Sequence, residues 1–535
     1  MGIKRRPGPR PWLLALVAAA AIVAGCGASS ATVSPGLSNL SSAAASPSSA
    51  ATASPTVPPP PVTPSPTFAP TVTLVPVAGF RTSETSVDAV EVAATLAGTS
   101  KRFGSLELVA GDSSGILEAL GLQGSASAGR VVFAASADAL ATDLDVKPSR
   151  LGFVRASQVG PSIRALAWGG VSLFGSARVA SPAAWPLKAA LSMAADTFDP
   201  SRTWTIAAAG DVMLDRGVYD AVKNQGKGVD YPFAGSTVTI TSRFCCSTFN
   251  WKLPRTRVVD TARAVRALMA DANLSMVNLE GPVPAKSVFH PHGMTFSFDK
   301  ALLAGLRDAG IDVVSLANNH IGNAGRQGMR DTIAALDGIG IAHGGLGTGR
   351  DAAAAPVVFT IDGVKVAFLA YDSLAMAYGA GPSLIGSAEI GWGTYPADIR
   401  AARAAGAQVV IVYPHWGVEY RSTPTVAERH WAHLMVDAGA DLAIGNHAHW
   451  AAAMEVYKGK PIWYSLGNFV FDQSWSEPTE EGLILELTFS GTSLVQVWMH
   501  PTLILDNCQP NLLDAAGGKV VMDRVFGASQ GLLPW

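Results

Sequence analysis

The sequence predicts an α/β protein whose main part is a sheet covered by helices on both faces, and three observations predict it. Between residues 201 and 502, short β-branched runs alternate with amphipathic helical stretches. Several runs are apolar without interruption, as in Val409-Val410-Ile411-Val412, which marks strands covered on both faces. Four segments (268–280, 306–320, 404–415 and 434–449) also repeat one layout: helix, a turn at Ala-Gly or Ala-Asn, buried strand, then polar residues.

In chain order, residues 1–26 read as an export signal. Lys4, Arg5 and Arg6 precede a short apolar run that ends in small residues. Val23-Ala24-Gly25-Cys26 resembles a bacterial lipobox, which implies lipidation of Cys26 and an extracytoplasmic lipoprotein anchored to the membrane. Pro-Gly-Pro after Arg5-Arg6 argues against a twin-arginine signal. Residues 27–76 are Ser, Ala, Thr and Pro without apolar periodicity, the composition of a disordered tether.

Residues 77–200 predict a smaller α/β domain. Strand-like runs at 105–109, 130–134 and 151–154 alternate with helical ones at 87–96 and 114–120. The stretch contains no His and no carboxylate cluster, which suits a spacer or docking role; its layout is weakly similar to periplasmic solute-binding domains. Residues 503–535 read as a tail packing on the main domain.

Composition narrows the function classes. A formal net charge of -2 in 535 residues leaves no basic field, and no Lys/Arg stripe is present, which excludes nucleic acid as a partner. Of four cysteines, Cys245, Cys246 and Cys508 remain once Cys26 is lipidated. One of the adjacent pair is available to bridge Cys508, leaving a thiol over. No C-x-x-C spacing supports a Cys-based zinc site.

The chemistry sits at strand ends. The run 204–209 leads into Gly210-Asp211-Val212-Met213. Further on come Asn278-Leu279-Glu280, Asn318-Asn319-His320, His415-Trp416-Gly417 and His447-Ala448-His449. In open α/β sheets ligands bind beyond the carboxyl ends of strands, so these motifs should converge on one edge of one sheet. Histidines, two carboxylates and an Asn without thiolate suit one or two divalent ions such as Mn, Zn or Fe. Four of the chain's ten His occupy such positions.

The ordered series Gly210-Asp211, 277–281, 315–320, 415–417, 445–449 and Tyr464-Ser-Leu-Gly-Asn-Phe469 resembles the bacterial capsule-synthesis CapA family, associated with poly-γ-glutamate production. That resemblance implies a calcineurin-like metallophosphoesterase sandwich, preceded here by the smaller α/β domain and the tether. It also implies polymer synthesis or export proteins as partners. By the same resemblance Asp211, Glu280 (bridging), Asn319, His415, His447 and His449 are metal ligands, with both closing His facing one metal. By that resemblance His320 is the catalytic residue, which protonates the leaving group or steadies the transition state. Met213 departs from the family fold's usual His and is a poor ligand for a hard metal. Gly322-Asn323 stands where a carboxylate is frequent.

Overall fold

The computed structural model describes residues 71–124, 129–191 and 198–533, all within one compact unit. The expected signal peptide, Cys26 and the tether up to residue 70 lie outside the described residues.

Thr203–Val212 is the axis of a ten-stranded sheet. Leu274–Leu279, Val313–Ser315 and Ala342–Gly344 extend it in parallel on one side. On the other side Glu481–Ser490, Ser493–Leu505 and Gln509–Leu513 follow as successive antiparallel neighbours. The hairpin Thr237–Phe244 with Leu253–Val258 completes that edge. A second, six-stranded sheet runs Val357–Ile361, Val364–Asp372, Val409–His415, Leu442–Ile444, Lys460–Trp463, Met454–Tyr457.

The side-chain alternation of each strand explains the layering. Ile206 and Ala208 share a core with Phe368, Val409, Ile411 and Trp463 between the two sheets. Ala207 and Ala209 point the other way, against Val265, Leu303, Leu306 and Met329 of an outer helix layer. On the second sheet, Val410 and Val412 meet Ile399, Ala432 and Met435 of the helices Tyr395–Ala404 and Val426–Ala438. The result is helix, sheet, sheet, helix, a four-layered α/β sandwich. Each fully buried Val or Ile contributes about 1.5–3 kcal/mol to it.

Local signals set the helix that precedes the last site loop. Thr425 accepts from the Glu428 N–H, and the Glu428 carboxylate accepts from the Thr425 N–H at 2.7 Å, a complete capping box. Gly439, at φ 114°, ends the helix in the left-handed region. The chain then enters Leu442–Ile444 and the loop carrying His447 and His449.

Residues 71–191 build a separate six-stranded mixed sheet. It docks on the outer side of Ser493–Leu505. Arg164 is buried there, with its guanidinium 4.7 Å from the ring centres of Phe80 and Trp498. It donates to the carbonyls of Phe80 and Val497. Gln496 bridges the same seam, accepting from the Ala165 N–H at 2.6 Å and donating to the Ile163 carbonyl at 2.8 Å.

The structure corrects four expectations. The motifs meet at the ends of two facing sheets rather than one. Thr71–Gly79 is a strand with Val72, Leu74 and Val75 buried, so the folded part begins before residue 77. The strand is buried on both faces after Thr71, so it carries no polar alternation to mark it in a Pro- and Thr-rich stretch. Residues 503–535 are not a mere tail. They finish Ser493–Leu505, supply the strand Gln509–Leu513, and form the helix Ala515–Ala528 with Val521 and Val525 in the core between the sheets. Cys245 bonds to Cys246, and Cys508 is free and buried. Cys508 sits in the core beneath the first sheet, with no cysteine to bridge among the described residues.

Candidate metal centre

Asp211 lies one residue before the end of the axial strand, in register with Asn278 on one neighbour and Asn468 on the other. Gly210 is required just before it, because a Cβ there would stand 1.8 Å from the Gly467 carbonyl oxygen. Glu280 follows directly on Leu274–Leu279, its N–H donating to the Val212 carbonyl at 2.8 Å. Asn319 and His320 follow Val313–Ser315. His415 ends its strand in the second sheet, and His447 and His449 follow Leu442–Ile444.

These side chains meet in two triads that share Glu280. One is Glu280, His415 and His447; the other is Asp211, Glu280 and His449; within each, the ligand atoms lie within 4.8 Å of one another. The expectation that His447 and His449 face one metal is therefore corrected, since they divide between the triads. Their backbones explain how. His447 holds φ at 90° and His449 at 55°, left-handed values that cost of the order of 1–3 kcal/mol each in a non-glycine residue. That twist breaks the strand alternation and fans the two rings, whose centres are 6.0 Å apart.

Neighbouring amides hold the ligands in place. Asn278 Nδ2 donates to Asp211 Oδ1 at 2.9 Å and lies 3.2 Å from His415 Nδ1. Asn319 Oδ1 is 3.0 Å from His415 Nε2, so Asn319 joins the first triad. Asn468 Oδ1 is 2.8 Å from His449 Nδ1, which turns His449 Nε2 to within 3.8 Å of Glu280 Oε1. Asn468 is fixed in turn by Gln473 and the Thr479 carbonyl. Such outer contacts set ring orientation and ligand basicity. Asn468→Ala is expected to weaken divalent-metal affinity by about 10–100-fold, measured by competition with a chelator. Unchanged affinity would show that His449 holds its pose without Asn468.

The electrostatics call for a cation. Both carboxylate oxygens of Glu280, and His447 Nδ1, are buried without a hydrogen-bond partner among the described residues. Burial, and then the charges of Asp211 and Glu419, push the Glu280 carboxyl well above the usual carboxylate range. An unpartnered buried carboxylate is costly, and a divalent ion reverses that balance. The donor set is N and O without sulfur, which fits a divalent transition metal. Met213 is buried and supplies no such donor; its sulfur accepts from the Asp215 N–H at 3.0 Å.

His320 stands at the edge of the cluster, with Nε2 3.9 Å from Glu280 Oε1. Its Nδ1 lies 3.0 Å from Asn323 Oδ1, and its ring packs on Phe296 with centres 4.2 Å apart. The arrangement is satisfied when Nδ1 carries the proton, leaving Nε2 bare toward the cluster. Burial lowers the His320 pKa from 6.5 to about 4, and burial together with His449 and His320 lowers that of His447 to about 3. Below pH 6.5 the unfolded chain therefore takes up protons that the folded, metal-free chain refuses. Stability is lost as pH falls from about 6.5 to about 4 for His320, and on to about 3 for His447. His320 alone accounts for about 3 kcal/mol of this. Urea denaturation of chelated protein across that range should show a shallower acid loss in His320→Gln; equal slopes would contradict the assignment.

Sequence reasoning missed the orienting role of Asn278 and the packing of Phe296 on His320, and it read Asn323 only as a departure. The signal available was the recurrence of Asn at strand ends: Asn278, Asn318, Asn319, Asn446 and Asn468. His290 serves the rim, its Nδ1 2.7 Å from Asp215 Oδ2, and His292 is exposed. His343, His433 and His500 pair with Asp337, Glu455 and Glu486.

Comparison with known proteins adds the following. Residues 205–473, half of the chain, match the family described as bacterial capsule synthesis protein PGA_cap. The capsule biosynthesis protein CapA of Bacillus anthracis is 34% identical over 197 residues, 36% of this chain and 48% of that one. A probable polyglutamine synthesis accessory protein of Mycobacterium tuberculosis is 29% identical over 299 residues, 50% of this chain and 74% of that one. The match spans about half the length of the Bacillus relatives. Among solved structures, a 5'-nucleotidase precursor from Thermus thermophilus overlaps 60% of this chain and 58% of its own, at 13% identity and a TM-score of 0.34.

Proposed function

The chain belongs to the bacterial capsule synthesis protein PGA_cap family, and from that premise we propose that it is a cell-surface, metal-dependent hydrolase of the phosphoesterase type acting in capsule or poly-γ-glutamate synthesis. The observation that carries the reading is the pair of triads joined by Glu280, whose buried carboxylate oxygens have no other partner among the described residues. One or two divalent ions, Mn, Zn or Fe, are held by Asp211, Glu280, Asn319, His415, His447 and His449. A bound ion of this kind supplies Lewis acidity toward a phosphoryl oxygen and lowers the pKa of water.

The remaining work falls to the protein. Asn278 and Asn468 orient Asp211, His415 and His449. His320 Nε2, bare and facing Glu280, takes up a proton from solvent and gives it to the departing oxygen. Asn323 and Phe296 keep that nitrogen aimed at the cluster. Lipidated Cys26 anchors the chain outside the cytoplasm, where it meets the polymer synthesis or export proteins.

Met213 favours a second reading, a non-catalytic membrane-anchored component of a polymer assembly that uses the metal site as a binding platform. Metal analysis of the purified protein, followed by phosphodiester hydrolysis with added Mn or Zn, decides between them. Bound metal with turnover supports the enzyme. Metal without turnover supports the platform, and no metal uptake would sink both. Surface polymer compared in cells with and without the chain tests the biological role.

A further inference from the structure

The hairpin Thr237–Phe244 with Leu253–Val258 combines exposed basic residues with exposed aromatic ones at its turn. Residues 237–259 hold Arg243, Lys252, Arg255 and Arg257 and no carboxylate, in a chain of net charge -2. Arg243 is committed to Glu477, 2.7 Å away. Lys252, Arg255 and Arg257 are exposed and have no ion-pair partner among the described residues. At the turn, Phe249 is 66% and Trp251 40% exposed, and Val258 at the far end of the outer strand is 52% exposed. Cations on an outermost strand blunt edge-to-edge pairing, but that need leaves the bare aromatic rings at the turn unexplained.

We propose that this hairpin docks on an anionic membrane surface. Phe249 and Trp251 enter the headgroup region, and Lys252, Arg255 and Arg257 face lipid phosphates. The occupant follows from charge and exposed aromatic area together. Three cations without an ion-pair partner among the described residues, on a segment without a carboxylate, select an anion. Part-exposed aromatic rings at the turn, flanked by those cations, suit the apolar and polar layers of an interface. Among the described residues no helix is long and apolar enough to cross a membrane. Ring contacts also join the hairpin to the metal centre. Trp251 meets Trp450 at 6.1 Å and Phe249 meets Trp475 at 6.2 Å. Tyr420 touches both tryptophans and stacks on His449 at 6.1 Å. Docking would thus bring the rim of the site down to the lipid surface, and it does not depend on whether the site turns over.

The test is hydrogen exchange on the full chain mixed with vesicles of phosphatidylcholine with or without phosphatidylglycerol. Any attachment through the N-terminus is common to both, so only docking differs. Amides of the turn and outer strand should exchange more slowly with phosphatidylglycerol. Each basic residue near an anionic surface contributes about fivefold, so Lys252→Glu, Arg255→Glu and Arg257→Glu together should weaken docking by at least on the order of a hundredfold and abolish the protection. Phe249→Ala with Trp251→Ala should also abolish it, while unchanged exchange in Thr203–Val212 shows that the fold persists. Equal exchange in the two vesicle types, or protection that survives charge reversal, would overturn the proposal. So would equal protection by soluble polyglutamate over neutral vesicles, which would identify an acidic polymer as the occupant.

Discussion

Glu280→Gln should empty the metal centre and at the same time make the metal-free protein melt higher. Both effects have one source, a buried carboxylate that only a cation satisfies. It belongs to both triads, so its loss removes a ligand from each, and metal content should fall to near zero. Asp211→Asn damages only one triad directly and should leave more metal bound than Glu280→Gln. In the metal-free chain the raised pKa of Glu280 means that stability falls as pH climbs above about 4.5, the carboxyl's ordinary value. The amide removes that dependence and relieves a buried, unpartnered group, worth about 1–3 kcal/mol. Metal analysis together with thermal melts of chelated protein at pH 5 and pH 8 checks both halves. A variant that keeps its metal, or whose melting falls at pH 8, would remove Glu280 from the bridging position.

His320→Ala should leave metal content unchanged and lower phosphodiester turnover by about 10²–10⁴-fold, the usual contribution of a positioned proton donor. His320 belongs to neither triad, so the loss should appear in kcat rather than in metal affinity. Asn323→Asp sharpens the test. A carboxylate beside Nδ1 favours the imidazolium, so the limb of the pH–rate profile set by His320 should move upward. A turnover loss that follows metal loss, or a profile indifferent to Asn323→Asp, would reassign His320 to a structural role.

Much of the candidate site was legible because strand ends are marked twice, by the close of an apolar run and by the chemistry that follows it. Asp211, Glu280, Asn319, His415, His447 and His449 all sit at such points, and the structure brings them together. What pattern alone could not supply was which strands share a sheet. Val409–His415 and Thr203–Val212 are both buried on both faces, and that pattern is the same for one sheet as for two. The division of His447 from His449 rests on left-handed backbone angles that no periodicity encodes. Asn278 was passed over because its role is to orient other side chains, and it emerges only when Asp211 and His415 are seen on either side of it.

The pairing of Glu481–Ser490 with Thr203–Val212 separates the family signature from the physical object. The signature ends at residue 473. Yet the strand that delivers Asp211 is braced along much of its length by a ribbon encoded after that point, and that ribbon's partner strand also supports the first α/β domain. A gene fragment cut at the signature's borders would carry the recognisable motifs without one wall of the structure that aligns them. The inherited unit and the mechanical unit of this chain are different lengths, and the longer one is the unit that holds the site in shape.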